Sequence, residues 1–209
     1  MSIFKKFMQF SAVSSMLLLA ACGGGGEETS GGSEGQAEGG TGAVSADIGV
    51  ISYMSGPGAA YGEAITNGLK LAQEEINEKG EVNINLIIED SAGEQDQALT
   101  AAQKLINSDN VTAIIGPTLS TEMNVVGPEA DLSGVPIMGT STTAEGIPQI
   151  GEYVFRNSIP EALAIPTSLK KAVEKYDAKK VAILYGNDDV LTKSGFDTMK
   201  ATAEEMGLE

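Results

Sequence analysis

From residue 48 onward, short runs of β-branched and aliphatic residues alternate with longer stretches whose apolar residues recur at helical spacing. This alternation restricts the chain to the α/β class with a mainly parallel sheet. Each strand must cross over through a helix before the next can pair beside it. Residues 48–54 (IGVISYM) and 82–89 (VNINLIIE) read as buried strands, followed by 111–115, 135–138 and a fifth extended piece at 153–157. Between them, residues 61–79 place Ile65, Leu69, Ala72 and Ile76 on one helical face, with Lys70, Glu74, Glu75 and Lys79 opposite and Gly80 as the stop. Residues 95–107 carry Ala98, Ala102 and Leu105 on one face. Residues 121–132 form a shorter helix, which Gly127 and Pro128 should kink or interrupt. Beyond Pro160 the pattern restarts: a helix at 162–176, a buried strand at 180–185, and a helix at 193–206 that stops at Gly207. One strand makes no sheet, so this last part has too little core to stand alone. Leu208 and Glu209 read as the start of a further strand. The expectation is a chain cut inside a second α/β lobe.

In parallel sheets, ligands sit beyond the carboxyl ends of the strands. Those ends fall at residues 54–58, 89–90, 116–121, 139–143 and 185–189. The first is glycine-rich and opens a helix, but its spacing is G-x-G-x-x-x-G, and Pro57 removes one amide that a phosphate would use. No acid follows at the distance a dinucleotide ribose needs. The acidic run 90–96 lacks the ligand order of a calcium loop and reads as a solvated loop with an acidic first helical turn. Residues 116–121 (GPTLST) and 139–143 (GTSTT) are hydroxyl clusters at successive strand ends, and the first leads into a helix. Adjacent strands lie about 4.8 Å apart, so the two clusters can converge on one small anion such as a carboxylate. The alternative for these hydroxyls is plain helix capping.

Composition narrows the chemistry. The chain contains no His and a single Cys, which removes His-based triads, His metal sites, intrachain disulfides and thiolate zinc sites. No serine has an activating base in view, so the chain is read as a non-enzyme without metal or cofactor. A net charge of −16 argues against nucleic acid and reads as a solvated acidic surface.

The amino terminus is an export signal. Lys5 and Lys6 precede an apolar stretch too short to span a bilayer, and the stretch ends in Leu19, Ala20, Ala21 and Cys22. This ending resembles the lipobox of bacterial lipoproteins. The resemblance implies cleavage after residue 21, lipidation of Cys22, and a chain held outside the cytoplasmic membrane. Residues 23–45 contain ten Gly and four Glu and cannot bury enough apolar surface to order themselves. Such a tether reaches roughly 25–29 Å.

Seven segments together carry a further resemblance: residues 48–77 (IGVISYMSGPGAAYGEAITNGLKLAQEEIN), 87–90 (IIED), 97–106 (QALTAAQKLI), 113–121 (AIIGPTLST), 134–145 (GVPIMGTSTTAE), 153–160 (YVFRNSIP) and 179–188 (KKVAILYGND). In this order they resemble the leucine/isoleucine/valine-binding family, the extracytoplasmic substrate-binding proteins of ABC transporters with the type I periplasmic-binding-protein fold. The resemblance implies a nearly complete lobe one at 46–159, a first crossover at 153–160, and a lobe two only begun at 160–209. It implies a monomer that captures an amino acid or related small carboxylate and delivers it to ABC permease subunits in the membrane. A ligand-sensing receptor on the same fold, passing its bound state to a signalling partner, is the alternative. Carried over residue by residue, Ser120 and Thr143 supply hydroxyls to the ligand carboxylate, Ser141 supplies backbone groups, and Tyr61 lines the pocket wall. The acid that holds an amino acid's ammonium group belongs to the later part of lobe two.

Overall fold

In the computed structural model, residues 44–187 and 190–209 are described. Five strands form one sheet: β1 (Val44–Ser52), β2 (Val82–Asp90), β3 (Ala113–Ile115), β4 (Ile137–Gly139) and β5 (Val154–Arg156). Their order is β2-β1-β3-β4-β5, and every neighbouring pair is parallel. The crossovers are α1 (Ala59–Lys79), α2 (Gln95–Asn107) and α3 (Ser120–Ser133); a single 3₁₀ turn, Ile147–Gln149, precedes β5. α4 (Glu161–Tyr176) and α5 (Val190–Glu205) follow the sheet. Strand alternation therefore yields the parallel α/β sheet flanked by helices that the residue pattern predicts.

Side chains one residue apart on a strand point to opposite faces. On one face, Ile51, Ile114, Ile137 and Val154 pack under α2 and α3, meeting Ala98, Ala102, Leu105, Met123 and Val126. This is the core, and all of these residues are buried. On the other face α1 lies over β1 and β2. The rest of that face carries Ile115, Met138 and Phe155, side by side across β3, β4 and β5. There an apolar groove of about 430 Å³ stays open, and Met138 and Phe155 are 44% and 47% exposed.

Most helix ends follow the predicted punctuation. Gly80 and Gly207 take left-handed backbone angles at the ends of α1 and α5, as Gly134 does after α3. The expected break at Pro128 does not occur, since α3 runs through it from Ser120 to Ser133. Packing offsets the missing amide: Gly127 is buried, and a side chain there would come within 3.0 Å of Ile150.

The buried strand expected at 180–185 is a correction. The segment forms no strand or helix, and Leu184 is 92% exposed. A buried parallel strand needs hydrogen-bonded neighbours and cover on both faces. Here the Val181 amide donates to the Glu209 carbonyl (2.8 Å), and the Glu209 amide donates to the Lys179 carbonyl (3.0 Å). These two bonds set Glu209 beside the backbone of residues 179–181, and no strand is formed at 208–209, where the residue pattern predicts one to start. Tyr185 stacks on Phe196 of α5, with ring centroids 4.1 Å apart.

Candidate functional site

The carboxyl ends of the strands gather on one edge of the sheet, and each loop there is tied to its neighbour. After β1, the chain passes so close to α1 that a side chain at Gly62 would come within 1.9 Å of the Tyr53 carbonyl oxygen. Ser52 Oγ donates to the Gly62 carbonyl (3.1 Å) and holds that approach. The Tyr53 amide donates to Thr118 Oγ1 (3.3 Å), joining the ends of β1 and β3. Asp90 Oδ1, at the end of β2, accepts the Met54 and Ala92 amides at 2.9 and 2.8 Å. Burial pushes its pKa up, but the Ser55 hydroxyl and the surrounding amides outweigh that and hold it below its ordinary value.

At the end of β3, Leu119 is the N-cap of α3 and offers no polar side chain. Glu122, three residues on, reaches back instead: its Oε2 accepts the Leu119 amide at 2.8 Å. Glu122 is fully buried, and burial raises its pKa against the opposing pull of the Ser91 hydroxyl and the Leu119 and Thr118 amides; the charge of Asp90 raises it further.

The four predicted site residues meet on this edge. Tyr61, half exposed on α1, shares a 2.7 Å hydrogen bond between its Oη and Ser141 Oγ in the loop after β4. Ser120 is enclosed, and its Oγ accepts the Ala144 amide at 3.3 Å. It sits inside α3 rather than at the N-cap, so its hydroxyl ties the start of α3 to the loop after β4 instead of capping its own helix. Having accepted from Ala144, the hydroxyl keeps its own hydrogen free to donate. Thr143 offers its carbonyl to the Glu161 amide (3.1 Å). Among the described residues its amide and hydroxyl find no hydrogen-bond partner. Thr142 is buried with Oγ1 unpartnered. The edge thus presents hydroxyls and free amides, the groups that bind an oxyanion.

Sequence reasoning missed Arg156, the last residue of β5. Its Nη1 donates to the carbonyls of Thr142, Thr143 and Ala144 at 3.5, 3.3 and 2.7 Å. One signal pointed to it: Arg156 is the only arginine in the chain. Glu122 was also missed, and nothing in its local pattern separates it from an ordinary helix-start residue; Thr118 lies within the predicted hydroxyl cluster at 116–121 without having been singled out. Cys22, the predicted signal and residues 23–43 of the predicted tether lie outside the described residues. Val44 and Ser45, expected to end the tether, instead belong to β1 and pair with Val82 and Asn83 of β2.

The sequence matches the periplasmic binding protein family over residues 45–209. The chain belongs to that family. Among curated relatives, it is 31% identical over 169 residues to the Leu/Ile/Val-binding protein BraC3 of Rhizobium johnstonii, covering 77% of this chain and 44% of that protein. It is 29% identical over 167 residues to the leucine-, isoleucine-, valine-, threonine- and alanine-binding protein of Pseudomonas aeruginosa, covering 78% of this chain and 44% of the relative. The chain therefore spans less than half the length of these relatives. Among solved structures, it superposes on the branched-chain amino acid transporter substrate binding protein LivJ of Streptococcus pneumoniae in complex with isoleucine. The TM-score is 0.71 at 26% identity, over 76% of this chain and 46% of that one. A solute binding protein of an ABC transporter from Rhodopseudomonas palustris, in complex with 3,4-dihydroxybenzoic acid, gives 0.70 at 26% identity, over 79% and 45%. The fold is that of the type I periplasmic binding proteins.

Proposed function

We propose that this chain is the ligand-capturing part of an exported, lipid-anchored substrate-binding protein that serves an ABC importer. Its ligand is a small carboxylate-bearing solute of the branched-chain amino acid type. The observation that carries this reading is the convergence of Tyr61, Ser120, Ser141 and Thr143 on one sheet edge, with the Thr143 amide and hydroxyl unpartnered. The two solved neighbours support the ligand class: isoleucine and 3,4-dihydroxybenzoic acid differ in almost everything except a carboxylate. The curated relatives, named for leucine, isoleucine and valine, support the amino acid within that class. They are binding proteins by name.

In this reading residues 46–159 are lobe one, 160–209 open lobe two, and the ligand lies between them. Ser120 and Thr143 donate to its carboxylate, Ser141 contributes backbone groups, and Tyr61 forms the wall. A hydrogen bond to a charged group contributes roughly 1.5–3 kcal/mol, so Ser120→Ala or Thr143→Ala should weaken binding about 10- to 150-fold. Calorimetric titration against amino acids and hydroxybenzoates, with thermal melting as a fold control, measures this. Unchanged affinity in both variants, with the fold intact, would remove the site assignment.

Residues 1–21 act as the signal, Cys22 carries the lipid, and 23–43 are the tether, since Val44 and Ser45 already belong to β1. Stable anchoring needs more than one acyl chain, which a diacylglyceryl thioether at Cys22 supplies. Cys22→Ser should therefore release the protein from the membrane fraction or leave the precursor uncleaved. A variant that matures and stays membrane-bound would refute the assignment.

A further inference from the structure

Arg156 stands apart electrostatically. The chain carries 29 acidic and 13 basic residues, and the ion pairs found among the described residues are all made by lysines. Arg156 instead spends its charge on three successive carbonyls, those of Thr142, Thr143 and Ala144. Within a peptide unit, the carbonyl and the following amide point in opposite directions. Carbonyls gathered onto a guanidinium therefore turn the amides of Thr143, Ala144 and Glu145 away from it. Of these, the Ala144 amide donates to Ser120 Oγ, the Glu145 amide faces Ser194 Oγ at 3.5 Å, and the Thr143 amide is unpartnered. The cation lies behind this turn and its field adds to that of the amides, favouring negative charge on the turn's outer side.

The same turn is wired to the segment that leaves the sheet. The Asn157 amide donates to the Gly139 carbonyl (3.0 Å), and the Glu161 amide, at the start of α4, donates to the Thr143 carbonyl (3.1 Å). Arg156 is thus placed between the strand-end loop and the first residues beyond β5.

We propose that Arg156 is a positioning residue for the ligand site: it holds the 142–144 turn so that the Thr143 amide faces an incoming carboxylate and the Ala144 amide reaches Ser120 Oγ, and it couples that turn to the crossover beyond β5. This rests on the reading of the edge as a carboxylate site. Arg156 does not touch the ligand itself; it acts through the backbone of Thr143 and Ala144.

The test is residue-resolved amide exchange by NMR on the 209-residue chain, with Arg156→Met and Arg156→Lys. In Arg156→Met, exchange at the Ala144 amide should quicken at least about tenfold, as expected for losing one hydrogen bond to a charged group. Exchange at the Ile114 amide, bonded to the Pro136 carbonyl inside the sheet, should not change. Arg156→Lys keeps the charge without the planar fork and should give an intermediate rate. Unchanged Ala144 exchange in Arg156→Met would overturn the proposal. So would an equal rise at Ile114 in both variants, because that describes a residue that merely supports the fold. L-leucine titration of the same samples, followed at the Ala144 amide with Thr143→Ala as reference, separates this proposal from the site reading. If Thr143→Ala leaves the leucine response intact, the site reading fails while the exchange data still decide the clamp. If Thr143→Ala abolishes the response and Arg156→Met does not, the positioning role alone is overturned. Loss of the response in both variants, with rescue in Arg156→Lys, is the expected result.

Discussion

Glu122 shows how a residue can serve the site from inside the core. It is fully buried, yet it supplies the acceptor that Leu119 cannot, closing the first turn of α3 beneath the Gly116 to Ser120 loop. Burial raises its pKa first, with Asp90 adding to the rise, while the Ser91 hydroxyl and nearby amides oppose it. A carboxyl whose folded pKa lies above its unfolded value binds its proton more tightly in the native state. Its contribution to stability is complete below the ordinary glutamate range and is lost as pH rises through the raised value. Glu122→Gln removes that titration but keeps an acceptor for the Leu119 amide. The melting temperature of Glu122→Gln relative to the parent should therefore climb as pH rises across that window. Relative to Glu122→Gln, Glu122→Ala should be destabilised by about 1–3 kcal/mol at every pH, since neither variant titrates there and the alanine leaves the part-buried Leu119 amide unpaired. A parent and Glu122→Gln whose melting curves shift in parallel from pH 4 to pH 8 would show that Glu122 does not titrate there. The site's legibility divides along the same line. Hydroxyls at strand ends could be read from spacing alone, and Ser120, Ser141 and Tyr61 are found bonded across the edge. Arg156 acts on carbonyls 12 to 14 residues away, a tertiary bond that residue spacing does not encode. Glu122 acts locally, three residues back on the Leu119 amide, and was missed because the cap position holds Leu instead of a polar residue.

Among the elements, the five strands of the sheet and α1, α2 and α3 were legible because each carries its own period and its own stop. α2 matches its predicted bounds, and Gly80 ends α1 where the glycine signal placed it. The miss at 180–185 has a different origin. The apolar run KVAILY has strand character, but a strand exists only through its partners, and those are not encoded in the run itself. α4 and α5 share this exposure. Ile159, Leu163 and Tyr176 lie open, and among the described residues of this stretch the buried side chains are Leu169, Thr202 and Ala203. Few apolar contacts mean low local stability, and opening of such a region precedes global unfolding. Limited trypsin digestion should therefore cut at Lys175, Lys179 or Lys180 before Lys70, Lys79 or Lys104. Lys104 is further protected by its bonds to Glu89 and Asp109 on the sheet side. Mass spectrometry of the first fragments decides this, and simultaneous cleavage on both sides of Pro160 would count against it.

For the whole molecule, two surface properties oppose each other. The open face over β3, β4 and β5 is an apolar strip running from Ile48 and Ile84 to Met138 and Phe155. A contiguous apolar patch of this kind drives association once a second surface can cover it. Against that stands a charge of −16 on 209 residues, which repels like copies over distances up to the Debye length. The balance should therefore depend on salt. At about 10 mM ionic strength the Debye length is about 30 Å, and repulsion should keep the chain monomeric. At about 1 M it falls to about 3 Å, repulsion is screened, and the apolar face should pair copies. Phe155→Asp places a charge at the edge-strand end of the strip without touching the buried face, because Phe155 alternates with Val154 and Arg156. Sedimentation velocity would then show salt-dependent association in the parent chain and a monomer at both salt levels in Phe155→Asp. A parent that sediments as a monomer throughout would mean that the strip is too shallow or too flexible to seat a second copy. Association that persists unchanged in Phe155→Asp would place the contact elsewhere, with the exposed apolar residues of α4 and the 180–185 segment as the next surface to substitute.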